Sequence, residues 1–200
     1  MRLKTLTCLA IAGAFFATAS GLQAKTKVNF TSTVFGGSSS SSKKSAYRGY
    51  GYKGKTTVSY SRKLRAGTIV ISTKERRLYY VLGNGKAIKY GVGVGRTGFS
   101  WRGRKRITRK VEWPTWTPPA SMRAREAKKG IILPVQMKGG PSNPLGARAL
   151  YLGGSLYRIH GTNAAHTIGG AVSSGCIRML NSEVKDLYSR VRMGALVIVE

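Results

Sequence analysis

The chain has 200 residues, with 35 lysines and arginines against six acids and a net charge of +29. That length holds one domain with a proper core plus a tail, not several domains. The charge calls for polyanionic surroundings. The chain has no nucleic-acid-binding motif and no aromatic platform for stacking RNA bases, so the expected polyanion is anionic lipid head groups or a carboxylate-bearing cell wall rather than nucleic acid.

The N-terminus opens on Met1-Arg2-Leu3-Lys4, runs through a largely apolar stretch from Leu6 to Ala19, and exits through Ser20-Gly21-Leu22-Gln23-Ala24. A basic start, an apolar middle and a small-residue exit make a secretory signal over residues 1–24, with Ala24 the expected cleavage point and Ala19 the alternative. The apolar run of about 14 residues falls short of the roughly 20 that a spanning helix needs, and no later segment is apolar enough to span. Export to the periplasm and cell envelope is therefore expected. Losing Arg2 and Lys4 with the leader would lower the charge from +29 only to +27.

Residues 25–63 read as a basic, low-complexity linker. Gly36-Gly37, the serine run 38–42 and Tyr47-Arg48-Gly49-Tyr50-Gly51-Tyr52 supply little that could pack. From Lys25 to Arg65 there are ten basic residues and no acid, which suits loose adhesion to an anionic envelope surface.

The folded domain is expected over 64–200. Thr68 to Ser72 reads as a strand, and Arg77 to Leu82 as another that turns at Gly83-Asn84-Gly85 into Lys86 to Val94. The prolines between 114 and 144 predict long loops from about 99 to 148. Ala149 to Ile159 holds two short strands around Gly153-Gly154. The one good helical period is Val184, Leu187, Tyr188 and Val191, with Asn181 as the expected N-cap. Ala195 to Val199 closes the chain as a strand. This is a mainly β pattern, a sandwich or curled sheet with one or two helices. Gly93-Val94-Gly95-Arg96-Thr97-Gly98 satisfies a dinucleotide fingerprint in letters only, because Phe99-Ser100-Trp101-Arg102-Gly103 is no helix start. It reads as a glycine-rich turn at a strand end.

The chemistry concentrates in the last fifty residues. Cys176, in Val-Ser-Ser-Gly-Cys-Ile-Arg-Met, follows His160, in Ile-His-Gly-Thr-Asn, by sixteen residues. The other cysteine, Cys8, lies in the leader, so the mature chain has one thiol without an intramolecular partner. A thiol attacks as its thiolate, and a neighbouring imidazole can take the proton. Gly169-Gly170 and Gly175 let the chain turn back and bring Cys176 to His160, and Gly175 leaves backbone N–H groups open around the thiol, as an oxyanion hole requires. No acid lies between 147 and 182, so a backbone carbonyl is the expected orienter of the histidine. Two histidines and one cysteine make too thin a set for a metal, and no cofactor is implied. His166 reads as a loop histidine or a contact in a substrate groove. Trp101, Trp113, Trp116 and Tyr151 are aromatics for either a groove or the core.

His160-Gly161-Thr162-Asn163 followed by Ser173-Ser174-Gly175-Cys176-Ile177-Arg178-Met179 resembles the signature of the L,D-transpeptidase catalytic domain, the YkuD-type family. The resemblance extends upstream through Glu75-Arg76-Arg77-Leu78-Tyr79, Val92-Gly93-Val94-Gly95, Trp113 to Pro119 and Gly140 to Gly146, covering about 66–199. It implies an enzyme acting on peptidoglycan stem peptides, with Cys176 as nucleophile and His160 as general base and then acid. Backbone groups at Ser174, Gly175 and Cys176 would hold the oxyanion. Gly161, Thr162, Asn163, Ser173 and Arg178 would lie along the substrate, Arg178 orienting either the loop or a substrate carboxylate. The acceptor would be a second stem peptide, a wall-anchored protein or water, and carbapenems would acylate the cysteine. Many members carry a histidine where this chain has Ser174.

Overall fold

A computed structural model describes Tyr52 and residues 54–200. The signal segment 1–24 and, of the linker, residues 25–51 and Lys53 lie outside the described residues. Eleven strands and two helices follow in chain order: β1 (Thr56–Ser59), β2 (Ile69–Ser72), β3 (Arg77–Gly83), β4 (Lys86–Gly91), β5 (Val94–Gly95), β6 (Gly103–Glu112), α1 (Ala120–Ala127), β7 (Arg148–Leu152), β8 (Arg158–His160), β9 (Ala171–Ser173), β10 (Ile177–Arg178), α2 (Asn181–Arg190) and β11 (Leu196–Val199). A 3-10 turn, Ala165–Thr167, precedes β9. No helix of the described residues is long and apolar enough to cross a membrane.

Nine strands form one mixed sheet in the order β1-β4-β3-β2-β11-β6-β7-β8-β10, and β5 pairs with β9 apart from it. The expected mainly β domain is what forms. The β3–β4 hairpin closes on Asn84 and Gly85, both at positive φ (49° and 68°), the turn whose twist matches that of the strands it joins. β6 joins two halves of the sheet: its first residues pair with β11 and its later ones with β7. Ile69, Ile71, Leu78, Tyr90, Ile107, Leu150, Ile159, Ile177 and Val197 are fully or almost fully buried between the halves, and α2 closes the core with Val184 and Leu187.

Three sequence expectations change. Residues 56–59, assigned to the linker, form an edge strand on β4. The approach to it is tied down as well. Tyr52 donates to Glu183 at 2.6 Å, Lys55 pairs with Asp186 at 2.6 Å, and Arg62 pairs with Glu200 at 2.8 Å. The apolar periodicity that marks a strand is missing there, because β1 is exposed along most of its length and pairs through its backbone.

The loops expected from 99 to 148 contain β6 and α1. β6 reads Gly-Arg-Lys-Arg-Ile-Thr-Arg-Lys-Val-Glu and buries only Ile107 fully, so charge hides the strand. One of its lysines has a structural role: Lys110 donates to the carbonyls of Tyr188 and Val191 at 2.7 and 2.6 Å, where the end of α2 leaves acceptors open. Asn181 is not the N-cap of α2. Leu180 holds that position, and Asn181 is the first helical residue with its side chain engaged elsewhere.

Candidate active site

Two short strands build the site by alternation. β8 and β10 run parallel with Ile159 opposite Ile177 and His160 opposite Arg178. Side chains along a strand point alternately to opposite faces. Ile159 and Ile177 enter the core. Arg158, His160, Cys176 and Arg178 therefore share the other face, and all four line one cleft of about 780 Å³. The segment from Trp116 through α1, with Leu156 and Tyr157, also lines it. Sixteen residues of sequence separation thus close into neighbouring positions on one sheet.

The cysteine sits on a braced turn. Gly175 has φ +102°, and a Cβ there would overlap the ring of Tyr157, so only glycine fits. Trp101 stacks on Tyr157 with ring centroids 4.9 Å apart and planes 4° from parallel, and its Nε1 donates to the Gly175 carbonyl at 2.9 Å. Ser173 is buried; its hydroxyl donates to the Cys176 carbonyl and accepts from the Gly175 N–H at 3.1 Å. The Gly175 N–H is therefore occupied within the turn, contrary to the expectation that it faces an oxyanion. Among the described residues the N–H groups of Ser174 and Cys176 have no such partner. The glycines at 93 and 95 serve this same region: β5 runs beside β9, which leads into the turn, and a Cβ at Gly95 would meet the Phe99 carbonyl at 2.6 Å.

His160 is buried, with its Nδ1 on the carbonyl of Gly161 and its ring also held by the backbone of Leu145. A carbonyl only accepts, so Nδ1 carries the proton and Nε2 keeps its lone pair. Burial, reinforced by the charges of Arg178 and Arg158, pushes its pKa down to about 3. Burial likewise pushes the Cys176 thiol up, while the charge of Arg158, a backbone hydrogen bond at Arg158 and the charge of Arg178 act against it. The Cys176 Sγ also makes a long contact of 3.9 Å with the Leu156 carbonyl. Both groups rest neutral on one cleft face: an imidazole whose Nδ1 carries its proton and a thiol that burial holds protonated.

The expected site residues divide. Cys176, His160, Ser173, Ser174 and Arg178 line the cleft; Gly161, Thr162 and Asn163 do not. These three are wall-building positions. Thr162 is buried, with its hydroxyl accepting from the Ala164 N–H at 3.0 Å, and Asn163 donates to the Ser142 carbonyl at 2.7 Å. A Cβ on Gly161 would overlap Oδ1 of Asn181. His166 is exposed in the 3-10 turn, outside the cleft. Of the four aromatics only Trp116 lines it directly.

Sequence reasoning passed over two asparagines that hold the histidine's surroundings. Asn181 Oδ1 accepts from the Ala147 N–H at 2.9 Å and its Nδ2 donates to the Thr162 carbonyl at 3.0 Å, tying the segment after Gly146 to the segment after His160. Asn143, fully buried, accepts from the Leu145 N–H at 2.8 Å and donates to the carbonyls of Pro114, Met137 and Lys138 at 3.0–3.1 Å. The sequence carried no signal for Asn181, whose Oδ1 comes against Gly146 and Gly161 only in the fold. Arg158 and Arg123 were also missed.

A thiol and a base-competent imidazole lining one cleft of a mixed β sheet are the groups that cysteine nucleophilic catalysis needs. The comparisons agree: the L,D-transpeptidase catalytic domain model matches residues 66–199, and the chain belongs to that family. It is 42% identical over 134 residues to the probable L,D-transpeptidase YbiS of Escherichia coli K12, covering 64% of this chain and 43% of that protein. It is 33% identical over 137 residues to the putative L,D-transpeptidase YqjB of Bacillus subtilis, covering 66% and 69%. Its fold matches crystallised L,D-transpeptidase 3 of Mycobacterium tuberculosis at a TM-score of 0.50 and 16% identity, over 68% of this chain and 61% of that one. The chain spans less than half the length of the E. coli relatives it matches.

Proposed function

We propose that this protein is an exported L,D-transpeptidase that acts on peptidoglycan stem peptides in the cell envelope, with Cys176 as nucleophile and His160 as its base. The observation that carries the reading is the shared cleft face of Cys176 and His160, with the histidine's Nδ1 proton committed to the Gly161 carbonyl.

The chemistry follows from that pair. The resting groups are neutral, so the thiol proton moves to His160 Nε2 as Sγ attacks the carbonyl of the diamino acid at stem position three. The N–H groups of Ser174 and Cys176 are the donors available to the resulting oxyanion. Collapse breaks the bond to D-Ala, whose amine leaves with the proton from His160, and a thioester remains. An acceptor amine then gives its proton to His160 and attacks the thioester, and Sγ departs and recovers its proton. A second stem peptide as acceptor gives a 3→3 cross-link. A protein amine gives attachment to the wall, and water gives hydrolysis. The signal at 1–24 and the basic linker suit this destination, the linker's cations meeting an anionic envelope.

The test is mass spectrometry of muropeptides after incubating the 25–200 protein with tetrapeptide-rich peptidoglycan, with and without an amine acceptor. New 3→3 dimers or amine exchange of D-Ala are expected. Tripeptides alone would reassign the protein as a hydrolase. Cys176→Ala should abolish turnover with the fold intact, and His160→Ala should lower it by roughly 10²–10⁴; a Cys176→Ala protein with unchanged activity would refute the mechanism. Intact-mass detection of a carbapenem adduct on Cys176 is expected from the same pair.

A further inference from the structure

Four buried side-chain polar atoms of the described residues lack a hydrogen-bond partner. Three of them are the guanidinium Nε atoms of Arg123, Arg158 and Arg178. All three arginines line the cleft around Cys176. None of the three joins a salt bridge among the described residues; the Arg158 guanidinium lies over the Tyr151 ring, 5.2 Å from its centroid, a contact that gives its N–H groups no acceptor. The contrast with other partly buried cations is direct. Lys110 is held by two carbonyls, Arg148 by Glu112 and the Ala147 carbonyl, and Arg125, also on the cleft wall, by Glu126. No aspartate or glutamate lines the cleft.

A buried donor left without an acceptor costs stability, and guanidinium is the side chain whose fork best fits a carboxylate. Arg158 and Arg178 approach the thiol from adjacent strands, close enough for both charges to act on Cys176 and on His160. Arg123 stands on α1, which lines the same cleft. The donors therefore come from two elements of the lining, the sheet and the helix.

We propose that Arg158 and Arg123, together with Arg178, form a carboxylate-reading subsite that makes this protein select donor peptides with free acids and reject their amides. The proposal rests on the transpeptidase reading above and specifies its substrate. A tetrapeptide donor carries one carboxylate on the departing D-Ala, two bonds beyond the scissile nitrogen, which falls beside the thiol and its flanking Arg158 and Arg178. It carries a second on the side chain of the diamino acid, which can extend toward α1 and Arg123. Converting either acid to a carboxamide removes the charge and puts an N–H₂ donor where the site already holds only donors.

The experiment uses three synthetic donors: the free tetrapeptide, its C-terminal amide, and the analogue amidated on the diamino acid's side-chain carboxylate. Thioester formation on Cys176 of the 25–200 protein is followed by intact mass, and kcat/KM is measured for amine exchange. The expected result is a preference for the free acid of about 10- to 100-fold over each amide, the worth of a charged hydrogen bond. Arg158→Gln should reduce the preference against the C-terminal amide toward one, and Arg123→Gln the preference against the side-chain amide. Arg158→Lys and Arg123→Lys, which keep charge but lose the fork, should retain part of it. Wild-type protein that uses acids and amides equally overturns the proposal. So do glutamine variants that slow all donors by one common factor, the mark of a merely structural role. Thioester formation with none of the three donors would instead overturn the transpeptidase reading itself.

Discussion

Replacing Asn181 with alanine tests whether the histidine's surroundings are held by one carboxamide. The side chain satisfies the N–H of Ala147, which is fully buried, and the carbonyl of Thr162, which is 5% exposed. Asn181→Ala leaves both without their partner, at about 1–3 kcal/mol for each buried group. A loss of about 3 kcal/mol lowers the melting temperature by roughly 6–12 °C for a domain of this size. The Thr162 carbonyl lies one residue beyond Gly161, whose own carbonyl fixes Nδ1 of His160, so kcat should fall more than binding does. Asn181→Asp keeps an acceptor for the Ala147 N–H and gives up the donor to Thr162, so its loss of melting temperature should be smaller. Scanning calorimetry with steady-state kinetics on the same preparations measures both quantities. A melting temperature within about 1 °C of wild type would refute the assignment of this residue as a brace.

Two further expectations concern pH. Because burial holds His160 at a pKa of about 3, kcat/KM should show no acid limb near the ordinary histidine value of about 6.5; a pH–rate profile from 4 to 8 with an inflection there would contradict the neutral resting pair. Glu183 is buried beneath Tyr52, and burial raises its pKa, with the Tyr52 hydrogen bond acting against that. A raised carboxyl pKa means the native state binds this proton more tightly than the unfolded chain. Its contribution is full at low pH and is lost as pH rises through the folded value. Glu183→Gln removes that dependence, so the variant's melting temperature relative to wild type should rise between pH 4 and pH 7. A constant difference across that range would exclude it.

The legible parts of this protein were those in which side-chain chemistry and backbone geometry repeat one another. The apolar run Ile69-Val70-Ile71 and the Asn84-Gly85 turn announced the first sheet half. Arg-Ile-His and Cys-Ile-Arg, each a cleft residue, a core isoleucine and a cleft residue, carried the site in their letters. β1 and β6 were hidden for one physical reason: their stabilisation comes from backbone pairing and from neighbours far along the chain, while their exposed faces take charged or hydroxylated residues. α1 was hidden because it buries none of its residues. Asn181 looked like a cap because it stands at a helix start, and only the fold reveals the Ala147 and Thr162 groups it serves. Arg178 stood out through its place in the cysteine motif, whereas Arg158 and Arg123 were absorbed into the overall basic count, where nothing distinguishes a solvated cation from one whose buried Nε has no acceptor.

The pairing of Ile177 with Ile159 also works as a register lock. A slip of β10 by one residue would turn Ile177 into the cleft and drive Cys176 and Arg178 toward the isoleucine-lined core. Burying a guanidinium there without a counter-ion would cost several kcal/mol. The same cation that borders the cleft therefore forbids the neighbouring alignment. The segment from 161 to 175 is freed from setting the phase of the site, since each short strand carries its own alternation.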